Sequence, residues 1–380
     1  MGELTTAVSA LGVAVAARVP VLLWGPPGTG KTATVRALGE AMGWPCETVI
    51  AAIREPSDFA GLPVIDRGEP ARGRVVFAPP RWAERLAVAG RGLLFLDEIS
   101  TAPPAVQAAL LRVVLERTVG DLALPADVAV VAAANPPEQA ADGWDLSAPL
   151  ANRFCHLDWP VDSRAVRDGF VRGFTTPAPP PLAPGWHDAI PAQRAVVAAF
   201  LTARPTLTCA VPDNAAQSGR GWPSPRSWDM AARLMAACRN AGPPRPSGDV
   251  EAALVEGAVG EGAGSEFLVW LVEADLPDPE AVLADPSSFT LPDRPDRALA
   301  ALSAVTAAVI ARPTVDRWLR GWEVVGKAAG TAADIAAVSA RDLAEFRPAG
   351  APVPPEVRTF APLLRAAGLL DGDGDPHPDR

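Results

Sequence analysis

The sequence has no tyrosine, only three histidines and only four cysteines in 380 residues. Cys46, Cys155, Cys209 and Cys238 are widely scattered and form no Cys-x-x-C pair. That excludes a disulfide framework and points to buried thiols in a reducing, cytoplasmic compartment. His156, His187 and His377 do not pair at metal-ligand spacing, so a structural zinc site is not expected. No run of five basic residues occurs and the net charge is −10, which argues against a nucleic-acid coat or an anionic membrane anchor. Bilayer-length apolar runs are missing as well. Residues 298–311 would span about 21 Å as a helix, short of the ~30 Å hydrocarbon core. The apolar stretch 7–17 follows an acidic residue, Glu3, rather than a basic region. It also runs straight into a nucleotide-binding motif, which argues against a signal peptide.

Apolar residues make up 49% of the chain and charged residues 21%, a soluble globular composition long enough for two or three domains. From residue 5 to about 158, apolar strand candidates (19–24, 46–51, 93–96, 127–134 and 154–159) alternate with helical patterns at 32–42 and 103–116. This rhythm predicts a parallel sheet covered by helices on both faces. Two insertions break it. One lies between Glu55 and Ala78, with strand-like pieces at 62–65 and 74–77; the other is a shorter hairpin at 117–125 around Gly120-Asp121. A proline-rich connector covers 175–185. Beyond it the periodicity is helical, at 191–201, 225–238, 249–259, 265–272, 297–310, 332–346 and 355–369. The acidic tail lacks the residues of a calcium loop and reads as a solvated, disordered end.

The chemistry is carried by a few short motifs. Gly25-Pro26-Pro27-Gly28-Thr29-Gly30-Lys31-Thr32 fits G-x-x-x-x-G-K-[ST], with a strand before it and a helix after it. Its backbone N–H groups can cradle phosphates at a helix N-terminus. Lys31 reaches the β- and γ-phosphates, and the Thr32 hydroxyl is a Mg²⁺ ligand. Leu93-Leu94-Phe95-Leu96 ends in Asp97 and Glu98, the first placed to hold the Mg²⁺ shell and the second to polarise the attacking water. Asn135 ends the strand at 127–134, where its amide can orient that water; an Asn135-Pro136 turn is the plain alternative. Arg153, just before the last strand, can reach a neighbouring subunit's γ-phosphate. Arg226 projects from the first turn of a helix that Ser224 caps and Pro225 begins.

The order GPPGTGKT, LLFLDE, AAANPP, LANRF, SPRSW resembles an AAA+ ATPase, most closely the MoxR type, related to the magnesium-chelatase ATPase subunit. The resemblance covers roughly residues 5–275. It implies that Asn135 is the sensor-1 residue, Arg153 the arginine finger and Arg226 the sensor-2 residue, acting in cis or in trans. Asn152 departs from the acidic residue usual before the finger. Five segments are expected: an ATPase core with hairpin insertions (1–160), a helix and connector (161–185), a helical lid (186–290), a helical C-terminal segment (291–370) and a tail (371–380). The expected activity is Mg²⁺-dependent ATP hydrolysis by a homo-hexameric remodelling chaperone for protein maturation or metal loading. The alternative is a nucleic-acid-directed motor, GTP- or ATP-driven, of the restriction type. The resemblance also implies a von Willebrand factor A domain partner protein. Nucleic acid is disfavoured by the charge, and no membrane association is expected.

Overall fold

The computed structural model describes residues 2–66, 74–136, 144–174 and 177–369. The expected tail and the first two residues of the proline-rich connector lie outside them. The chain divides into two compact units, Met1–Ala183 with Cys209–Ser265, and Pro184–Thr208 with Glu266–Arg380.

The first unit opens with α1 (Glu3–Ala16), β1 (Val21–Trp24), α2 (Lys31–Met42), β2 (Cys46–Ile50) and α3 (Ser57–Ala60). It continues with β3 (Leu62–Asp66), β4 (Arg74–Ala78), α4 (Arg81–Ala89), β5 (Arg91–Asp97), α5 (Pro104–Glu116), β6 (Thr118–Val119) and β7 (Leu122–Ala123). The elements β8 (Asp127–Ala134), α6 (Ala148–Ala151), β9 (Cys155–Asp158) and α7 (Ser163–Arg172) follow. Strands β2, β5, β8, β1 and β9, in that spatial order, form a five-stranded parallel sheet. All five strands foreseen from the sequence are present, with no end moved by more than two residues.

The register explains why both faces must be covered. Leu93, Val131, Val21 and Cys155 fall on one face; Leu93 packs near Gly39 of α2. On the other face Leu22, Trp24, Leu94, Leu96, Val130 and Ala132 pack with α5 through Val106, Leu110 and Val113. Strands buried on both sides read as continuous apolar runs, which is how this sheet is written in the sequence.

The two insertions are antiparallel ribbons, β3 with β4 and β6 with β7. They are clasped to each other. Asp121 Oδ2 accepts from Phe77 N at 2.8 Å, Asp121 N donates to Phe77 O at 3.0 Å, and Gly120 N donates to Phe59 O at 3.2 Å. An isolated two-stranded ribbon is marginal in water, so the clasp contributes to holding both.

The remaining helices do not separate at residue 290. Helix α8 (Ile190–Ala203) belongs to the second unit, whereas the short α9 (Ala215–Ser218), α10 (Pro225–Arg239) and α11 (Gly248–Val259) belong to the first. Ser224 and Ser227 form a reciprocal capping box at the start of α10. The expected apolar face, Trp228, Ala231, Met235 and Cys238, is buried, but so are Ala232, Leu234, Ala236 and Ala237. Helix α10 is thus enclosed on nearly every side, which the period-based reading understated. Gly257 of α11 lets that helix approach β9; a Cβ there would collide with the carbonyl oxygen of His156, and Cys155 Sγ bonds to Leu254 O at 3.4 Å.

Helix α12 (Glu261–Ala274) leads into the second unit, followed by α13 (Pro279–Ala284), α14 (Pro295–Ala311), α15 (Val315–Ala329), α16 (Ala333–Glu345) and α17 (Val357–Ala366). Trp318 and Trp322 of α15 meet edge to face at 5.9 Å in its core, and Trp318 Nε1 donates to Leu343 O at 2.7 Å. Each such fully buried side chain stabilises the fold by roughly 1.5–3 kcal/mol. Among the described residues no helix is long and apolar enough to cross a membrane.

Candidate nucleotide site

Four chain segments meet at the C-terminal ends of β1, β5, β8 and β9, where open α/β sheets bind ligands. The chain leaves β1 through Gly25, whose N–H donates to Ala134 O at 3.2 Å. A Cβ on Gly25 would lie 2.6 Å from Trp159 O, so only glycine fits this approach. Gly30, at the N-cap of α2, has a φ of 89°, in the left-handed region that favours glycine. Thr29 Oγ1 donates to Pro26 O at 2.8 Å, and Trp159 Nε1 donates to Thr29 O at 3.2 Å, fixing the loop at its crest.

Lys31 is only 7% exposed, and its ammonium is held by oxygens alone. It donates to Gly25 O at 2.5 Å, to Pro26 O at 2.9 Å and to Asn135 Oδ1 at 3.2 Å. Burial pushes its pKa down, and the nearby Asp97 carboxylate opposes that shift. Thr32 Oγ1 donates to Asp97 Oδ2 at 2.8 Å. A hydroxyl and a carboxylate this close are hard oxygen donors of the kind Mg²⁺ takes alongside waters and phosphate oxygens. The N–H of Glu98 donates to Asp97 Oδ1 at 3.0 Å, and Glu98 itself is left-handed, with φ 54° and ψ 42°. That conformation is uncommon for a non-glycine residue. Here it turns the Glu98 side chain out to solvent beside Asp97.

The structure thus brings together the phosphate loop (Gly25, Pro26, Pro27, Gly28, Thr29, Gly30, Lys31 and Thr32), Asp97, Glu98 and Asn135. Arg153 and Arg226 form a second group. Arg153 Nη1 donates to Pro149 O, its Nε has no partner, and its pKa is lowered by burial and then by the charge of Arg226. Among the described residues neither guanidinium bonds to the phosphate loop, Asp97 or Glu98.

Three features near the site left no mark in the sequence. Trp159 anchors the loop from across the sheet. Arg220 lies over the Trp24 ring, 4.2 Å from its centroid, and pairs with Asp158 at 2.9 Å. His156 accepts from Trp24 Nε1 at 2.8 Å through Nδ1, so its proton sits on Nε2 and is donated to Ala151 O at 2.9 Å. No local pattern marks these residues, because each partner is far away in the chain. A cleft of about 780 Å³, lined by Glu3, Thr6, Asp158, Arg220, Glu256 and Gly260 among others, opens along β9 next to Trp159.

Burial pushes the His156 pKa down to about 4, with Arg220 adding to the shift. The unfolded chain therefore takes up this proton at higher pH than the folded one. The corresponding stability is fully present above about pH 6.5 and is lost as the pH falls toward 4, on the order of 3 kcal/mol in total. Denaturant unfolding of the wild type and of His156→Gln, from pH 7.5 to pH 4, checks this. The variant should show the shallower loss across that window, and parallel curves would exclude His156 as the titrating group.

Residues 20–154 match the AAA domain of the dynein-related subfamily. This part of the chain is similar to an AAA domain. Over 171 residues the chain is 34% identical to protein MoxR of Methylorubrum extorquens, a match covering 43% of this chain and 47% of that one. It therefore spans about half the length of that curated relative. Two solved structures are loosely similar. One is a candidate ATPase of Cytophaga hutchinsonii, with a TM-score of 0.39 and 18% identity over 67% of this chain and 80% of that one. The other is a full-length MCM homologue of Methanopyrus kandleri, with a TM-score of 0.36 and 18% identity over 71% and 58%. The resemblance to MoxR-type ATPases read from the motifs thus holds at the level of sequence, and the matched residues include the phosphate loop, Asp97, Glu98, Asn135 and Arg153.

Proposed function

We propose that the chain hydrolyses ATP with Mg²⁺ as a subunit of a homo-hexameric MoxR-type remodelling chaperone in the cytoplasm. The observation that carries this reading is the cluster of Lys31, Thr32, Asp97 and Asn135, linked by bonds of 2.8 and 3.2 Å at the mouth of the parallel sheet. Lys31 and the loop N–H groups bind the triphosphate, with the base in the cleft beside Trp159. Thr32 and Asp97 hold Mg²⁺, which when bound screens the phosphate charge. Glu98 accepts the proton of the attacking water, and Asn135 orients that water. Arg153 and Arg226 answer charge on a phosphate presented by a second copy, which is why an oligomer is required.

The test is phosphate release from ATP by the purified chain with and without Mg²⁺. Turnover that chelation abolishes supports the reading, and a chain that neither binds nor hydrolyses ATP defeats it. The client is proposed only as a protein undergoing maturation or metal loading. A von Willebrand factor A domain protein is the proposed partner, supported by the likeness to MoxR-type ATPases. Capture from the host with Glu98→Gln chain held in ATP should retrieve such a protein. DNA or a nuclease subunit in its place favours the restriction-type motor.

A further inference from the structure

Asn152, next to Arg153, is 3% exposed and ties two distant segments together. Its Nδ2 donates to Trp222 O at 3.0 Å, and its Oδ1 accepts from Ser224 Oγ at 2.7 Å. Ser224 is the N-cap of α10 and accepts from Ser227 N at 3.1 Å, while Ser227 Oγ donates to Trp222 O at 2.8 Å. The amide therefore spends a donor and its acceptor on one turn of backbone. Arg153 follows it directly, and Arg226 lies two residues beyond Ser224.

The tether joins the backbone that carries Arg153 to the turn that leads into Arg226, and the charge of Arg226 adds to burial in lowering the pKa of Arg153. Among the described residues no carboxylate pairs with either. Two like charges repel, and an anion shared between them turns that repulsion into attraction. Keeping them together without a counter-charge needs a short, buried and fully bonded link. An aspartate in the same place would still accept from Ser224 but would set a carboxylate oxygen against Trp222 O.

Resting on the hydrolase reading above, we propose that Asn152 is a positioning residue for hydrolysis, holding Arg153 and Arg226 as one paired receptor for a phosphate group. It touches no reacting atom and acts through the two arginines.

The experiment is a double-mutant cycle on the full chain: wild type, Asn152→Ala, Arg226→Ala and the double variant, each with kcat and KM for ATP. Asn152→Ala is expected to lower kcat by about tenfold while KM moves less than about twofold, since the phosphate loop is untouched. In the Arg226→Ala background the same change should cost less than about twofold, because the receptor is already broken. Equal losses in both backgrounds, or an unchanged kcat, overturn the proposal. Should Asn152→Ala fail to fold on thermal unfolding, Ser224→Ala removes the 2.7 Å bond from its other end, and the same cycle is read. A wild-type chain without turnover overturns the hydrolase reading, and this one with it.

Discussion

Replacing Glu98 by glutamine should leave ATP bound and slow its hydrolysis by about 10²–10⁴-fold, the usual cost of losing a positioned general base. The backbone makes the expectation specific. Asp97 points inward to Thr32 at 2.8 Å and also accepts the Glu98 N–H at 3.0 Å. Glu98, in its left-handed conformation, turns the other way, and Thr101 Oγ1 donates to its carbonyl at 2.9 Å. Two adjacent carboxylates are thereby assigned separate directions and separate work. The amide of glutamine has the same shape and can still accept a hydrogen bond from water, but it cannot take its proton. Binding is measured with a fluorescent ATP analogue and turnover by phosphate release. Wild-type turnover in the variant would remove Glu98 from the role of base, and lost binding would show that the substitution had disturbed Asp97 instead.

Arg153→Ala should likewise leave binding intact and lower turnover by about 10³-fold or more, the range seen when an arginine finger is withdrawn. Among the described residues its guanidinium makes no bond to its own phosphate loop, and in the proposed oligomer the phosphate it serves belongs to another copy. Mixed with Lys31→Ala chains, which lack the phosphate-binding cation, Arg153→Ala chains should regain part of their activity. Some interfaces then pair an intact pocket with an intact finger. Subunit exchange is followed by energy transfer between labelled chains. If exchange occurs and no mixing ratio restores turnover, Arg153 works within its own subunit or only supports the fold.

What could be read from the sequence has a physical boundary. The phosphate loop, Asp97 and the five strands were legible because each is written locally, as a glycine pattern or an apolar run closed by a carboxylate. Asn152 looked like a departure from the resemblance. Its use became plain only with Trp222 and Ser224 beside it, some seventy residues along the chain. Trp159 and Arg220 act on Thr29 and Trp24 over comparable or longer separations. Helix α15 escaped because Gly321 and Gly326 interrupt its pattern, although Thr314, its N-cap, and the i, i+4 pair Trp318 and Trp322 were available signals. Helix α4 is short, and Pro80 and Gly90 at its ends disguise it as a loop. The assignment of α8 to one unit and of α10 and α11 to the other depends on which apolar faces meet, and periodicity does not encode that.

That interleaving limits how the protein can be dissected. The backbone passes between the units three times, after Ala183, Thr208 and Ser265. A chain stopped after Ser265 would keep α8 while losing every other helix of its unit, baring Val196, Val197 and Phe200 to water. Such a truncation would expose an adhesive apolar surface and aggregate, so its inactivity would say nothing about catalysis. To isolate the nucleotide-binding unit, the residues from Pro184 to Thr208 must be excised and Ala183 rejoined to Cys209 by a linker. In gene terms, the second unit has to be removed as two pieces of coding sequence.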